Sequence, residues 1–247
     1  MDSLIVANWK MNMTLNEVRS YLSFLKNADI KPDREVVIAP PFTLLFPLFH
    51  MLQDTKIKTA AQNMYFEEKG AFTGEISPKQ IVDTHAEYVI IGHSERRKIF
   101  GEDDNLIAKK LKSALNSGLT PIFCIGETKE ERNDGKTIDV IRSQIEKGLN
   151  LLTSDDISRL VFAYEPVWAI GTGVNATPED AEVVHSFIKE LLQKICFKSS
   201  TQNVRIIYGG SVTPDNIAAL MSMPDVSGVL VGGASLRPDV FLKIINF

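Results

Sequence analysis

The chain has 247 residues, 44% of them hydrophobic, and its 27 Lys and Arg against 31 Asp and Glu leave a net charge of −4. That length can bury one large core, and the negative balance provides no broad positive field to gather nucleic acid or an anionic membrane, so an anionic ligand needs a local site. Cys124 and Cys196 form no CxxC pair, the start MDSLIVANWK lacks a basic and apolar leader, and no apolar run approaches the roughly 18 residues that span a bilayer, so the expected protein is cytoplasmic and free of disulfide stapling.

The first short apolar run, LIVANW (4–9), carries Asn8 near its end and is followed by Lys10. Thr14, with Glu17 three residues on, then makes a capping box ahead of Leu15, Val18, Leu22 and Leu25 at helical spacing. The runs EVVIA (35–39) and IKTAA (57–61) come next. Residues 62 to 77 are too long for an ordinary βα connection, and they include Met64, Tyr65, Phe66 and Phe72, which predicts a projecting loop that packs on a partner.

YVIIG (88–92) turns into His93-Ser94-Glu95-Arg96-Arg97, a cap-like helix start with an acid in its first turn. TPIFCIG (120–126) is the fifth run, and LVFAY (160–164) is the sixth, leading directly to Glu165-Pro166. Thr177-Pro178-Glu179 opens a helix through Val183, Val184, Phe187, Leu191 and Ile195. VRIIYG (204–209) ends in Gly209-Gly210-Ser211, with Thr213-Pro214 predicted to open a further helix, and GVLVG (228–232) ends in Gly232-Gly233.

Most of these eight runs are apolar throughout rather than alternating, as parallel strands covered on both faces require. Alternation with helical segments, and no linker or low-complexity tract, predicts a single (β/α)8 TIM barrel over residues 1–247, with an open doubly wound sheet as the rival. In a barrel the chemistry sits where strands end, and polar or glycine residues follow five of the runs.

The glycine pairs after the last two runs allow backbone N–H groups to approach an anion, which suggests a phosphate cradle. Lys10 would supply a local cation, or a Schiff-base nucleophile if desolvated. His93, at a helix start, feels the positive end of the helix dipole and should stay neutral and donate a hydrogen bond. Glu165 is held extended by Pro166, and cover from Val167, Trp168 and Ile170 would make its carboxylate a better base. His50, His85 and His185 fall in helical segments without metal-ligand spacing and read as structural. Gly171-Thr-Gly173-Val-Asn-Ala176 fits G-x-G-x-x-A, but it neither follows its strand at once nor opens a helix, so it is no dinucleotide site.

The stretches ANWKM (7–11), QNMYFEEKGAFTGEIS (62–77), VIIGHSERR (89–97), AYEPVWAIGTG (163–173), IIYGGSV (206–212) and GVLVGGASL (228–236) together resemble the triosephosphate isomerase family in order and spacing. The resemblance implies interconversion of dihydroxyacetone phosphate and D-glyceraldehyde 3-phosphate, a step of glycolysis and gluconeogenesis, with no metal or organic cofactor. It implies Glu165 as the base, His93 as the neutral electrophile, Lys10 as the cation, and Asn8 against the substrate oxygen. It further implies phosphate contacts from Gly171, Ser211, Gly232 and Gly233, with Glu95 beside Lys10 and His93, and Ser94 holding the base while the site is open. Residues 166 to 176 would be a hinged lid, departing from the family's common Lys-Thr-Ala as Val174-Asn175-Ala176. A homodimer is implied too, with Thr73 at the loop tip reaching Lys10 and His93 of the partner subunit. A Schiff-base aldolase barrel using Lys10 and a non-catalytic phosphometabolite-binding barrel are the rival functions.

Overall fold

The computed structural model describes residues 2–169, 176–196, 201 and 203–247. Its strands are β1 (Ser3–Asn8), β2 (Arg34–Ala39), β3 (Lys58–Ala61), β4 (Tyr88–Ile91), β5 (Thr120–Ile125), β6 (Val161–Tyr164), β7 (Arg205–Tyr208) and β8 (Gly228–Val231). They pair in chain order, all parallel, and β8 returns to β1 to close the barrel. The predicted runs overshoot at one end: Trp9, Gly92, Gly126, Gly209 and Gly232 lie just past their strands, where the chain turns out of the ladder into the loops of the site.

The unbroken apolar character of the runs follows from period-two alternation in a sheet covered on both sides. Leu4 and Val6 of β1 join Val37, Ala39, Ile90, Ile122, Ala163 and Leu230 in one inner cluster, whereas Ile5 and Ala7 pack with the surrounding helices. At the strand starts the barrel is closed by charge. Glu35 takes Tyr88 Oη at 2.5 Å and Lys58 Nζ at 3.0 Å, and pairs with Arg205. Burial works to raise the Glu35 pKa, but these partners overcome it and bring the carboxyl down to about 2.

The helices include α1 (Leu15–Leu25), α2 (Phe42–Leu52), α3 (Pro78–Asp83), α4 (Ser94–Phe100), α5 (Asp104–Asn116), α6 (Lys129–Asn133), α7 (Thr137–Gly148), α8 (Ser154–Ile157), α9 (Pro178–Ile195), α10 (Ile217–Met221) and α11 (Pro238–Ile245). The capping box predicted at Thr14 forms, and the helix predicted to open at Thr177 does so with a box of its own, Asp180 as its acid. Thr213-Pro214 does not open a helix. Asn216 accepts the N–H of Thr213 and donates to the carbonyl of Ser211, holding a turn there, and α10 begins only at Ile217.

Two other expectations are corrected. His85 lies beyond the end of α3 with φ 61°, stacked on Phe49, because a histidine in the left-handed region ends a helix instead of continuing it. Met64 belongs to the chain's own core and not to a partner-facing surface. The rest of 62–77 is irregular and projects, and its first residues are anchored. Lys110 of α5, wholly buried, bonds Asn63 Oδ1 at 2.9 Å and Glu102 Oε1 at 2.6 Å.

Both cysteines are free and buried. Among the described residues, no helix is long and apolar enough to cross a membrane.

Candidate active site

At the carboxyl end of the barrel a cavity of about 330 Å³ is lined by Asn8, Lys10, His93, Glu165, Gly209, Gly210, Ser211, Gly232 and Gly233 among others. Parallel closure brings these together, since each lies at or just beyond a strand end and all eight strands point the same way.

Glu165 follows Tyr164, the last residue of β6, and its N–H bonds Ile125 O at 2.8 Å, one rung beyond the ladder. Its side chain is 2% exposed. One oxygen, Oε2, accepts the backbone N–H of Ser94 at 2.8 Å. The other, Oε1, faces His93 Nε2 at 2.9 Å.

His93 is the N-cap of α4, and its Nδ1 accepts the Glu95 N–H at 3.2 Å. That bond uses the Nδ1 lone pair, so the ring carries its proton on Nε2, toward Glu165 and the cavity. Burial disfavours the imidazolium, while the Glu165 carboxylate and then Glu95 favour it, and their balance raises the pKa of the ring in this arrangement. A second proton would have to sit on Nδ1 against the Glu95 N–H, and the geometry therefore describes a neutral imidazole. Glu165 supplies most of the opposing pull.

Lys10 adopts φ 50°, the left-handed region, which a lysine occupies only when held there. Its N–H bonds Asn8 Oδ1 at 3.0 Å and its carbonyl accepts Gln62 Nε2 at 2.8 Å. Its ammonium meets Glu95 Oε1 at 2.7 Å. The side chain passes Gly232, where a Cβ would stand 3.5 Å from Lys10 Cε. Gly233 opens a 3₁₀ turn to Leu236, and the first N–H groups of such a turn have no carbonyl within it to bond. Cation, turn, Ser211, carboxylate and imidazole thus line one cavity.

Of the residues singled out from sequence, Asn8, Lys10, His93, Glu165, Ser211, Gly232 and Gly233 share this cavity, with Ser94 and Glu95 bonded to its members. Gly171 and the hinge residues Val174-Asn175 lie outside the described residues. Glu127 and Gln62 were missed. Glu127 is fully buried and brackets the base: its Oε1 accepts Tyr164 Oη at 3.1 Å and Trp168 Nε1 at 2.8 Å, and its carbonyl accepts the Val167 N–H at 3.2 Å. Burial drives its pKa up. The signal was a glycine–acid pair, Gly126-Glu127, directly after the fifth run.

Among the described residues, no group of three or more His, Cys, Asp or Glu is placed to hold a metal ion. The arrangement is instead a buried base facing a neutral N–H donor and a cation beside anion-accepting turns. Such a set can move a proton next to a carbonyl and stabilise the oxygen charge that results.

A family model described as triosephosphate isomerase matches residues 3–247. The chain is 50% identical to the triosephosphate isomerase of Finegoldia magna, over 99% of this chain and 98% of the relative. It is 48% identical to that of Dictyoglomus thermophilum, over 98% of each. It is 49% identical to that of Aquifex aeolicus, over 99% of each. With a barrel, a strand-end cavity and a match running nearly end to end, the chain belongs to the triosephosphate isomerase family.

Proposed function

We propose that Glu165, His93 and Lys10 carry out the aldose–ketose isomerisation of this family, interconverting dihydroxyacetone phosphate and D-glyceraldehyde 3-phosphate through an enediolate. The observation that carries the assignment is the Glu165 carboxylate, buried at the cavity with Oε1 2.9 Å from His93 Nε2. Glu165 removes the proton from the carbon next to the carbonyl and returns it to the neighbouring carbon. Negative charge grows on the carbonyl oxygen, toward which His93 presents its Nε2–H and Lys10 its ammonium. Asn8 contacts the same end of the substrate, and the phosphate rests against Ser211, Gly232 and Gly233, with Gly171 as a further contact.

Magnitudes show why the donors matter. A positioned general base contributes roughly 10²- to 10⁴-fold, short of what an efficient isomerase needs. Each preorganised donor on the developing oxyanion adds about 10²- to 10³-fold, because its charge complements the transition state more than the substrate. Lys10 is ion-paired with Glu95, which suits a cation and not the free amine that a Schiff base requires.

The test is a coupled isomerase assay. Glu165→Asp draws the carboxylate back by one methylene and should cost about 10²-fold or more in kcat. His93→Gln removes the aligned Nε2–H and should cost about 10²- to 10³-fold. Wild-type rates in both variants would overturn the assignment.

The working unit is a homodimer. Met11 is 94% exposed beside Lys10, Ile99 and Phe100 are 68% and 64% exposed at the end of α4, and Phe72 stands on the projecting loop. That much apolar surface near the site favours a second copy as its cover. The loop tip at Thr73 would then reach toward Lys10 and His93 of the partner subunit.

A further inference from the structure

Gly126 follows the last residue of β5 as Glu165 follows the last residue of β6, and Ile125 and Tyr164 are partners in the register. The two residues therefore meet one rung beyond the sheet. A Cβ on Gly126 would lie 1.7 Å from Glu165 O and 2.7 Å from its carbonyl carbon, so no other residue type fits without moving the main chain of Glu165. On the other flank, a Cβ on Gly209 would lie 2.9 Å from Glu165 Cγ.

Gly126 is fixed in turn by one side chain from outside the barrel. Gln144 of α7 accepts the Gly126 N–H through Oε1 at 2.8 Å and donates from Nε2 to the Gly126 carbonyl at 3.1 Å. This carboxamide takes over the pairing that the ladder no longer provides. The chain of contact runs from α7 through a bare Cα to the backbone of Glu165.

We propose that Gly126 and Gln144 are positioning residues for Glu165, setting the depth at which its carboxylate stands in the cavity. The proposal rests on the reading of Glu165 as the base. Neither residue touches the cavity, so their loss should slow proton transfer and leave substrate binding alone. A shift of about 1 Å in a catalytic group is worth roughly 10²-fold in rate.

Steady-state kinetics of Gln144→Met and Gly126→Ala would test this, beside Glu165→Gln and beside Ile145→Ala, which loosens the packing of α7 without touching Gly126. Inorganic phosphate serves as competitive inhibitor to report on the anion end of the site. Gln144→Met should lose about tenfold in kcat and Gly126→Ala about 10²-fold, with KM and phosphate inhibition within about twofold of wild type. Ile145→Ala should lower the melting temperature and keep its kcat. If Gln144→Met loses no more kcat than Ile145→Ala, or if its loss falls on KM and phosphate inhibition, the positioning role is overturned, whether or not Gly126→Ala folds. Wild-type turnover in Glu165→Gln would instead overturn the base itself, an outcome separate from the first.

Discussion

His93 and His185 are both buried, and they differ in what each ring nitrogen meets. In His93 a backbone N–H occupies Nδ1 and leaves the Nε2–H for the cavity. In His185 the Nδ1 faces the Asp225 carbonyl at 3.2 Å, which can only accept, so Nδ1 carries the proton and Nε2 is left buried without a partner. Burial brings the His185 pKa from 6.5 down to about 4, outweighing the favourable Asp225 carbonyl. The unfolded chain binds this proton near 6.5 and the folded chain only near 4. The stability His185 confers is thus complete above pH 6.5 and is lost as pH falls toward 4, by roughly 3 kcal/mol in all. In urea unfolding from neutral pH to about pH 4, His185→Gln should lose roughly that much less stability than wild type. Equal losses would show that His185 is not the group responsible.

At the scale of the element, helix starts recur as sites of local control. Ser77 caps α3: its Oγ accepts the Gln80 N–H at 3.2 Å, and Gln80 Oε1 accepts the Ser77 N–H at 2.8 Å. This box also ends the projecting loop, so it fixes where that loop rejoins the barrel. Ser77→Ala removes the acceptor and should lower unfolding stability by about 1 kcal/mol in urea titration, since a cap contributes that much. With the Gln80 half retained, turnover per folded site should stay at the wild-type value. Two more starts act on the site itself. The N–H of Ser94 at the head of α4 holds Glu165, and the N–H of Glu95 sets the tautomer of His93. A capping rule read from sequence is here a statement about chemistry.

For the whole molecule, barrel closure separates two jobs along one axis. The strand starts hold the Glu35, Lys58, Tyr88 and Arg205 network, which seals the floor, and the strand ends hold the cavity. A homodimer would then place the loop of one subunit over the site of the other. Light scattering at micromolar concentration should give twice the chain mass, and Phe72→Asp, a charge on the exposed loop, should shift it toward the monomer with a large loss of activity. A monomeric wild type with full turnover would refute the dimer as the working unit.

Much of this was legible from sequence alone. The eight apolar runs and their caps pointed to a parallel α/β sheet and favoured a (β/α)8 barrel, because a sheet covered on both faces lacks alternation, while closure of β8 on β1 came only from the structure. Local chemistry also singled out Lys10, His93 and Glu165, each a reactive side chain set against a strand end or a helix start. What lay beyond reach depended on distance in the chain. Nothing in Gly126 by itself says that Glu165, 39 positions on, leaves no room for a Cβ, nor that Gln144 on α7 holds its backbone. The ends of the runs were overextended for the same reason, since a strand stops where its neighbours stop pairing. Periodicity and capping are properties of adjacent residues and can be read in order, whereas contacts between strand ends exist only once closure of the barrel has brought them together.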